Sequence, residues 1–279
     1  MSLFIASLNS GSNGNCYYIG TEQEAVLIDA GISGREISRR MQRLGLSMEH
    51  VKAIFVSHEH SDHIAGIPSL VKKYGLPVFI TGNTRQHCGF TLDDTCVQSF
   101  EAFQAVQVGE LSVTAFPKYH DAIDPHSFII THGETTVGVF TDIGQPCDRL
   151  IHYFTRCHAA FLETNYDDEL LTKGRYPIFL KNRIRGGQGH LSNKQAFELF
   201  TRYRTPQMSH LLLSHLSKDN NSPELALKLF NQDNGSTQIT VASRYEASPV
   251  FRVTGSKIPA SFPLLAPKQP PLNYQLSLF

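Results

Sequence analysis

The chain has 279 residues, 41% hydrophobic and 18% charged, with 25 basic and 25 acidic side chains that cancel. That is an ordinary globular composition, long enough for one large domain or two small ones, and its neutrality means that a nucleic-acid partner would need a local basic patch. Cys16, Cys88, Cys96, Cys147 and Cys157 are an odd number without metal-type pairing, the opening MSLFIASLNSGSNGN lacks a basic start, and no apolar run spans a bilayer; together these argue for a reducing cytoplasm and against a disulfide framework, a signal peptide or a membrane partner.

Short runs rich in Val, Ile and Phe predict the strands, beginning with SLFIASL (2–8), NCYYIG (15–20) and AVLID (25–29). Ser33 with Glu36 forms a capping-box start for a helix through Arg39, Met41 and Leu44. The strands VKAIFVS (51–57), LPVFI (76–80), LSVTAF (111–116), HSFIIT (126–131), TVGVFT (136–141) and AAFLET (159–164) follow. Ser192 with Gln195 caps a helix through AFELFTRY, the strand HLLLSH (210–215) comes next, and Ser222-Pro223-Glu224 opens a helix through Leu225, Leu227 and Leu229. TQITVA (237–242) and VFRV (250–253) close the set, and no internal sequence repeat is visible. Beyond about residue 255, Pro259, Pro263, Pro267, Pro270 and Pro271 stand among few charges, a linker composition. The reading is one α/β domain over 1–255 and a Pro-rich tail over 256–279 that ends in QLSLF.

The strongest chemical signal is SHEHSDH, residues 57–63, directly after a strand. On an extended strand end His58 and His60 point the same way, because side chains alternate with period two. They can share one metal, while the following turn aims Asp62 and His63 at a second point. Imidazole and carboxylate together suit Zn²⁺, Mn²⁺ or Fe²⁺.

On these residues the sequence resembles the metallo-β-lactamase superfamily, which implies a four-layer αββα sandwich. LIDAG, with Asp29, resembles the family's first motif, in which the Asp orients metal ligands from behind them. SHEHSDH matches the second. The resemblance implies His120 in FPKYHDA as the third imidazole on the first metal, Asp142 in VFTDIG as a carboxylate shared by both metals, and His215 in LLLSHLS as closing the second metal with Asp62 and His63. His126 lies close to His120, but it opens the next strand, whereas His120 follows one directly. His60 stands where oxygen- and nitric-oxide-handling relatives carry Glu, which favours hydrolysis. Two divalent ions, Zn or Mn, would then activate water and neutralise charge at the attacked centre, with Asp62 a catalytic residue of the site.

Two further motifs speak to the substrate. Glu163 in FLETN and His190 in GGQGHLSN resemble the pair that relays a proton to the leaving oxygen in phosphodiesterases of the family, although this chain has GHLSN rather than H-S-T. A departing 3′-alkoxide is a poor leaving group and needs such an acid; a helix-capping His beside a loop Glu is the bland alternative. Between these motifs TKGRYPIFLKNRIRGG carries Lys173, Arg175, Lys181, Arg183 and Arg185 and no acid. Lys181, Arg183 and Arg185 are candidates for binding a DNA backbone, against the alternative of a solvated helix face. Tyr176 and Phe179 offer either a stacking face or core. NSGSNGN (9–15) reads as a phosphate cradle or a plain hairpin turn. The set formed by the opening Gly-rich loop, His-Asp-Ala-x-Asp-Pro at 120–125, Gly-His-Leu-Ser-Asn at 189–193 and His-Leu-Ser at 215–217 is similar to a bacterial subgroup regarded as DNA exonucleases acting from 5′ ends.

The reading that results is a two-metal phosphodiesterase cleaving DNA 5′ to 3′ in repair or replication. Its rivals are a thioester or lactone hydrolase of the same fold and a non-catalytic clamp-binding adaptor. The tail bears on this choice. QLSLF resembles the pentapeptide by which bacterial repair proteins dock on the sliding clamp, which implies that Leu278 and Phe279 fill an apolar pocket while Gln275 supplies a hydrogen bond and Leu276 accompanies them. A tail folding back on its own core is the alternative.

Overall fold

The computed structural model describes residues 1–255. The tail at 256–279, with Gln275, Leu276, Leu278 and Phe279, lies outside the described residues.

The first part of the chain builds β1 (Ser2–Asn9), β2 (Cys16–Gly20), β3 (Ala25–Ile28), α1 (Gly34–Arg43), β4 (Val51–Phe55), α2 (Ser61–Ile64), α3 (Ile67–Tyr74), β5 (Val78–Phe79), α4 (Gly82–His87) and β6 (Val97–Gln98). The second builds β7 (Ala105–Val108), β8 (Leu111–Pro117), β9 (His126–His132), β10 (Thr135–Phe140), α5 (Asp148–Phe154), β11 (Ala159–Glu163), α6 (Asp168–Lys173), α7 (Ile178–Arg185), α8 (Asn193–Tyr203), β12 (His210–Ser214), α9 (Pro223–Phe230), β13 (Gln238–Val241) and β14 (Phe251–Thr254). Ser222 Oγ accepts from Leu225 N and Ser192 with Gln195 closes a reciprocal capping box, as read; at α1 only half of the expected box forms, Ser33 Oγ accepting from Glu36 N while the Glu36 carboxylate turns to Arg39 and Arg40. The sequence reading lacks β6 and β7, which are short and carry no long apolar run, and the helices α2 to α6; α7 enters it only as the solvated helix face weighed against a DNA-binding patch.

The strands form two seven-stranded sheets in the orders β14-β1-β2-β3-β4-β5-β6 and β13-β12-β11-β10-β9-β8-β7. Taken from β14 and from β7, both sheets run three antiparallel pairings and then three parallel ones. The duplication is one of architecture, without a visible sequence repeat.

Alternation along the strands explains the layering. Leu3, Ile5, Ile19, Val26 and Ile28 of the first sheet meet Val113, Phe128, Ile130, Val139 and Phe161 of the second in a core between the sheets. The opposite face of the first sheet, with Ala6, Leu8, Leu27 and Ile54, is covered by Ile37 and Met41 of α1 and by Ile67 and Leu70 of α3. The opposite face of the second, with Phe116, Phe140 and Leu213, is covered by Leu150 and Phe154 of α5, Phe200 of α8 and Phe230 of α9. Three cores separate four layers, the αββα sandwich expected. Helix α7 has no buried residue; Ile178 and Phe179 are 69% and 71% exposed, so Phe179 is not core.

Candidate metal centre

The site lies at the C-terminal ends of parallel strands from both sheets, where the chain leaves each sheet and side chains converge. Asp29 follows β3, His58 to His63 follow β4, Asp142 follows β10, Glu163 ends β11 and His215 follows β12. His120 sits in the loop between β8 and β9. Asp29, Asp142 and His215 have left-handed backbones, with φ of 60°, 55° and 57°. Such conformations cost roughly 1–3 kcal/mol at a non-glycine residue and persist where surrounding contacts enforce them. Asp29 and Asp142 also follow matching strands of the two sheets, the fourth from β14 and the fourth from β7.

One ligand atom each from His58, His60 and His120 lies within 4.8 Å of the others, and the same holds for Asp62, His63 and His215. A further such group, His58, His63 and Asp142, draws on both sets. Asp142 Oδ2 is 3.2 Å from His63 Nε2, and its Oδ1 is 3.3 Å from His215 Nδ1 and 3.8 Å from His120 Nε2. His126 is apart from these groups, its Nδ1 donating to the Asp124 carbonyl.

Most of the imidazoles are held by one nitrogen with the other turned inward. His63 Nδ1 donates to Asp29 Oδ2 at 2.7 Å, and Asp29 is itself fixed by Ser57 N and Ser57 Oγ. His58 Nδ1 donates to Ser57 Oγ at 2.8 Å, His120 Nδ1 to the Gly189 carbonyl at 3.1 Å, and His215 Nδ1 to Glu163 Oε1 at 2.9 Å. This leaves the Nε2 atoms facing the centre, the arrangement in which a partner oxygen sets the tautomer of a metal-ligating histidine. His120 Nε2, His215 Nε2 and Asp142 Oδ2 are buried without a hydrogen-bond partner. Buried polar atoms left unpaired are costly, so three such atoms converging here fit a cation.

The electrostatics agree. Burial holds His58 well below the usual imidazole range, aided by the neighbouring His63 and Lys118, and burial brings His120 down to about 4. Both are therefore neutral, the form that ligates. Burial also opposes charge on His63, but Asp142, Asp29 and Asp62 outweigh it and raise that ring to about 10. The same balance, with Asp142 foremost among the acids, lifts His215 well above its ordinary value. Carboxylates packed this closely call for positive charge, which protons supply on these rings and which divalent ions supply more fully.

Glu163 is fully buried and touches two histidines: its Oε1 accepts from His190 Nδ1 at 2.8 Å as well as from His215. Its Oε2 accepts from Ile143 N at 2.7 Å and Leu191 N at 3.1 Å. Burial disfavours its charge, yet His190 and His215 bring it down to about 2. The side chain of His190 is 22% exposed, so it forms part of the open wall of the site.

Several positioning residues escape the sequence reading. Asn15, in the Gly-rich loop, receives Gly11 N and the Tyr17 hydroxyl on Oδ1. That fixes its amide with Nδ2 turned toward Asp62 Oδ2 at 3.3 Å and His63 Nε2 at 3.1 Å. Ser10 Oγ accepts from His215 N at 2.7 Å. The loop thus buttresses the centre through side chains. Gly31 permits the approach: a Cβ there would lie 1.6 Å from the Asp62 carbonyl oxygen. Among these, only the polar run NSGSNGN was a visible signal.

Of the basic candidates, Lys181 Nζ donates to the Thr172 carbonyl at 2.8 Å, Arg185 bonds the Thr172 hydroxyl, and Arg183 pairs with Asp121 beside His120. The backbone N of His190 donates to the Ile184 carbonyl at 2.9 Å, joining α7 to the relay. Tyr176 donates its hydroxyl to Asp219.

A family model described as a beta-lactamase superfamily domain matches residues 24–215. The chain is 35% identical over 229 residues to the exodeoxyribonuclease YycJ of Bacillus anthracis, covering 81% of this chain and 87% of that protein. It is 33% identical over 231 residues to the exodeoxyribonuclease WalJ of Streptococcus pneumoniae, covering 81% and 86%. Among solved structures, the metallo-β-lactamase fold protein YhfI of Bacillus subtilis aligns with a TM-score of 0.69 and 20% identity over 90% of this chain and 99% of that one, a likeness of fold.

Proposed function

The chain belongs to the metallo-β-lactamase superfamily and is a metal-dependent hydrolase, and from that premise we propose that it is a two-metal nuclease that cleaves DNA from the 5′ end in repair or replication. The observation that carries this reading is the shared Glu163 carboxylate. One oxygen holds both His215, a candidate ligand, and His190, which lines the open side of the site. A relay fixed to the metal shell is what a phosphodiester with an alkoxide leaving group requires, and the exodeoxyribonuclease relatives support DNA as the substrate.

His58, His60 and His120 would hold one ion, Asp62, His63 and His215 the other, and Asp142 would serve both. Zinc or manganese there supplies Lewis acidity and a nucleophile from water at neutral pH. Asp29 orients His63 through Nδ1, and Asn15 and Gly31 set the position of Asp62. Glu163 orients His190 through Nδ1, leaving Nε2 to give its proton to the leaving oxygen as the phosphorus–oxygen bond breaks. Lys181, Arg183 and Arg185 exchange their contacts with Thr172 and Asp121 for backbone phosphates.

In this reading residues 1–255 form the catalytic unit of a cytoplasmic enzyme. Gln275, Leu276, Leu278 and Phe279 dock on the bacterial sliding clamp, and the Pro-rich segment is the tether. A chain ending at Tyr274 then loses clamp binding in calorimetry and keeps its fold; unchanged binding contradicts the tether. The reading as a whole is tested with end-labelled single- and double-stranded DNA and RNA, each with Mn²⁺, Zn²⁺ or Mg²⁺. Stepwise release of mononucleotides from the 5′ end of DNA is expected. Inert nucleic acids beside an active thioester or lactone assay overturn it.

A further inference from the structure

A cleft of about 360 Å³ opens beside the metal centre, and the proposed mechanism leaves it unused. It lies at the ends of β12 and β13 and the start of α9. Two of its lining residues tie it to the centre: Leu216 is the chain neighbour of His215, and Ser10 accepts the His215 backbone N–H. Its walls include the apolar side chains of Leu216, Pro223 and Val241 and the ring of Tyr245, which is 72% exposed. Lys218 and Arg244 bring positive charge to the lining and Glu246 one negative charge.

Arg244 is held in an unusual way. Its Nη2 donates to Ser12 Oγ at 3.1 Å, while its Nε is buried with no partner in the protein. The guanidinium lies over Gly11, where a Cβ would come within 2.8 Å of Nη2. Gly11, with φ of 141°, therefore has a spatial reason to be glycine. A buried unpaired donor at the edge of an apolar slot suits an anion that arrives with an apolar, flat group.

A nucleotide has that chemistry. We propose that this cleft receives one nucleotide of the substrate strand next to the scissile phosphate, its base against Tyr245 and its phosphate between Lys218 and Arg244. The inference rests on the nuclease reading and deepens it, because an aromatic platform beside a cation is how single strands are gripped without regard to sequence. The volume suits a small ligand of this size, and α7 with its arginines serves the opposite task of tracking backbone.

The test uses the full metal-loaded chain and three variants, Tyr245→Ala, Tyr245→Phe and Lys218→Ala, none of which alters a proposed ligand or relay residue. Three quantities are compared: the Kd for thymidine 5′-monophosphate by calorimetry, the KM on short single-stranded DNA, and kcat/KM on methyl p-nitrophenyl phosphate, which carries no nucleoside. Tyr245→Ala is expected to raise the Kd and the KM roughly tenfold, by loss of stacking, with the small diester turned over as before. Tyr245→Phe should restore wild-type values, and Lys218→Ala should weaken nucleotide binding in a salt-dependent way. DNA cleavage with Kd and KM unchanged in Tyr245→Ala and Lys218→Ala overturns the cleft assignment and leaves the nuclease reading intact. If no nucleic acid is cleaved but the nucleotide binds with the expected loss in the variants, the nuclease reading falls and the cleft stands as a nucleotide site.

Discussion

The first sheet delivers His58, His60, Asp62 and His63 from one short segment that runs from the end of β4 into α2, whereas the second delivers His120, Asp142 and His215 from three separate connections and Glu163 from the last residue of β11. The sheets share a pairing pattern, so the difference lies in how residues are distributed on equivalent frames. In the first, one local conformation fixes four side chains. In the second, the mutual packing of β8 to β12 fixes them, and each needs its own support. Asp142 and His215 have left-handed backbones, and Glu163 is tied to two backbone N–H groups. The lesson is that a centre can be half local motif and half tertiary consequence, and the halves should fail differently when altered.

The largest effect is expected in the local half. His60→Ala and Asp62→Ala should each bring hydrolysis to background, with circular dichroism and thermal midpoint near wild type, because neither side chain belongs to a core. Retained activity in the double variant stripped of metal contradicts a metal-borne mechanism. In the dispersed half, His190→Ala should cost roughly 10²–10⁴-fold in kcat with metal content intact. Glu163→Ala should cost at least as much and also lower the thermal midpoint. It leaves the buried Ile143 and Leu191 N–H groups unpaired, at about 1–3 kcal/mol each. A Glu163→Ala chain as stable as the His60→Ala and Asp62→Ala chains would break the contrast between the halves.

A smaller effect sharpens it further. Asp29 follows the strand that matches the one before Asp142, yet it contacts His63 from behind. Asp29→Asn should weaken metal affinity roughly 10–100-fold, read by competition with a chelator, while saturating metal recovers most of kcat. Failure to recover at saturation would place Asp29 in the chemistry itself. The smallest effect on the fold is expected in α7, which has no buried residue. Changing Lys181, Arg183 and Arg185 to Ala should leave stability within about 0.5 kcal/mol and reduce the log–log salt slope of DNA binding by about one unit per lost phosphate contact. An unchanged slope assigns that helix to solvent.

The same contrast explains what the sequence made legible. SHEHSDH is readable because its ligands are contiguous and its strand ends where the apolar run ends. The ligands of the second sheet are single residues after ordinary strands, recognisable by resemblance and by no spacing of their own. The contact of Glu163 with His215 joins residues 52 positions apart and has no local signature. Asn15 and Gly31 were hidden for a related reason: their roles arise where the loop after β1, the end of β3 and the loop after β4 pack together. β6 and β7, with two and four residues, are too short for a pattern of side chains to mark them as strands. The four layers were legible through the family resemblance; alternation explains them in the structure, since it separates the face toward the other sheet from the face toward the helices.

The central claim, that both halves hold a metal and that hydrolysis needs both, is tested most directly by titrating metal-depleted chain with Mn²⁺ or Zn²⁺ while following release of labelled mononucleotide from DNA. If the doubly loaded species is the active one, the rate rises with upward curvature and saturates at two equivalents per chain. A rate that climbs linearly and saturates at one equivalent, or cleavage by the metal-free chain, contradicts the account.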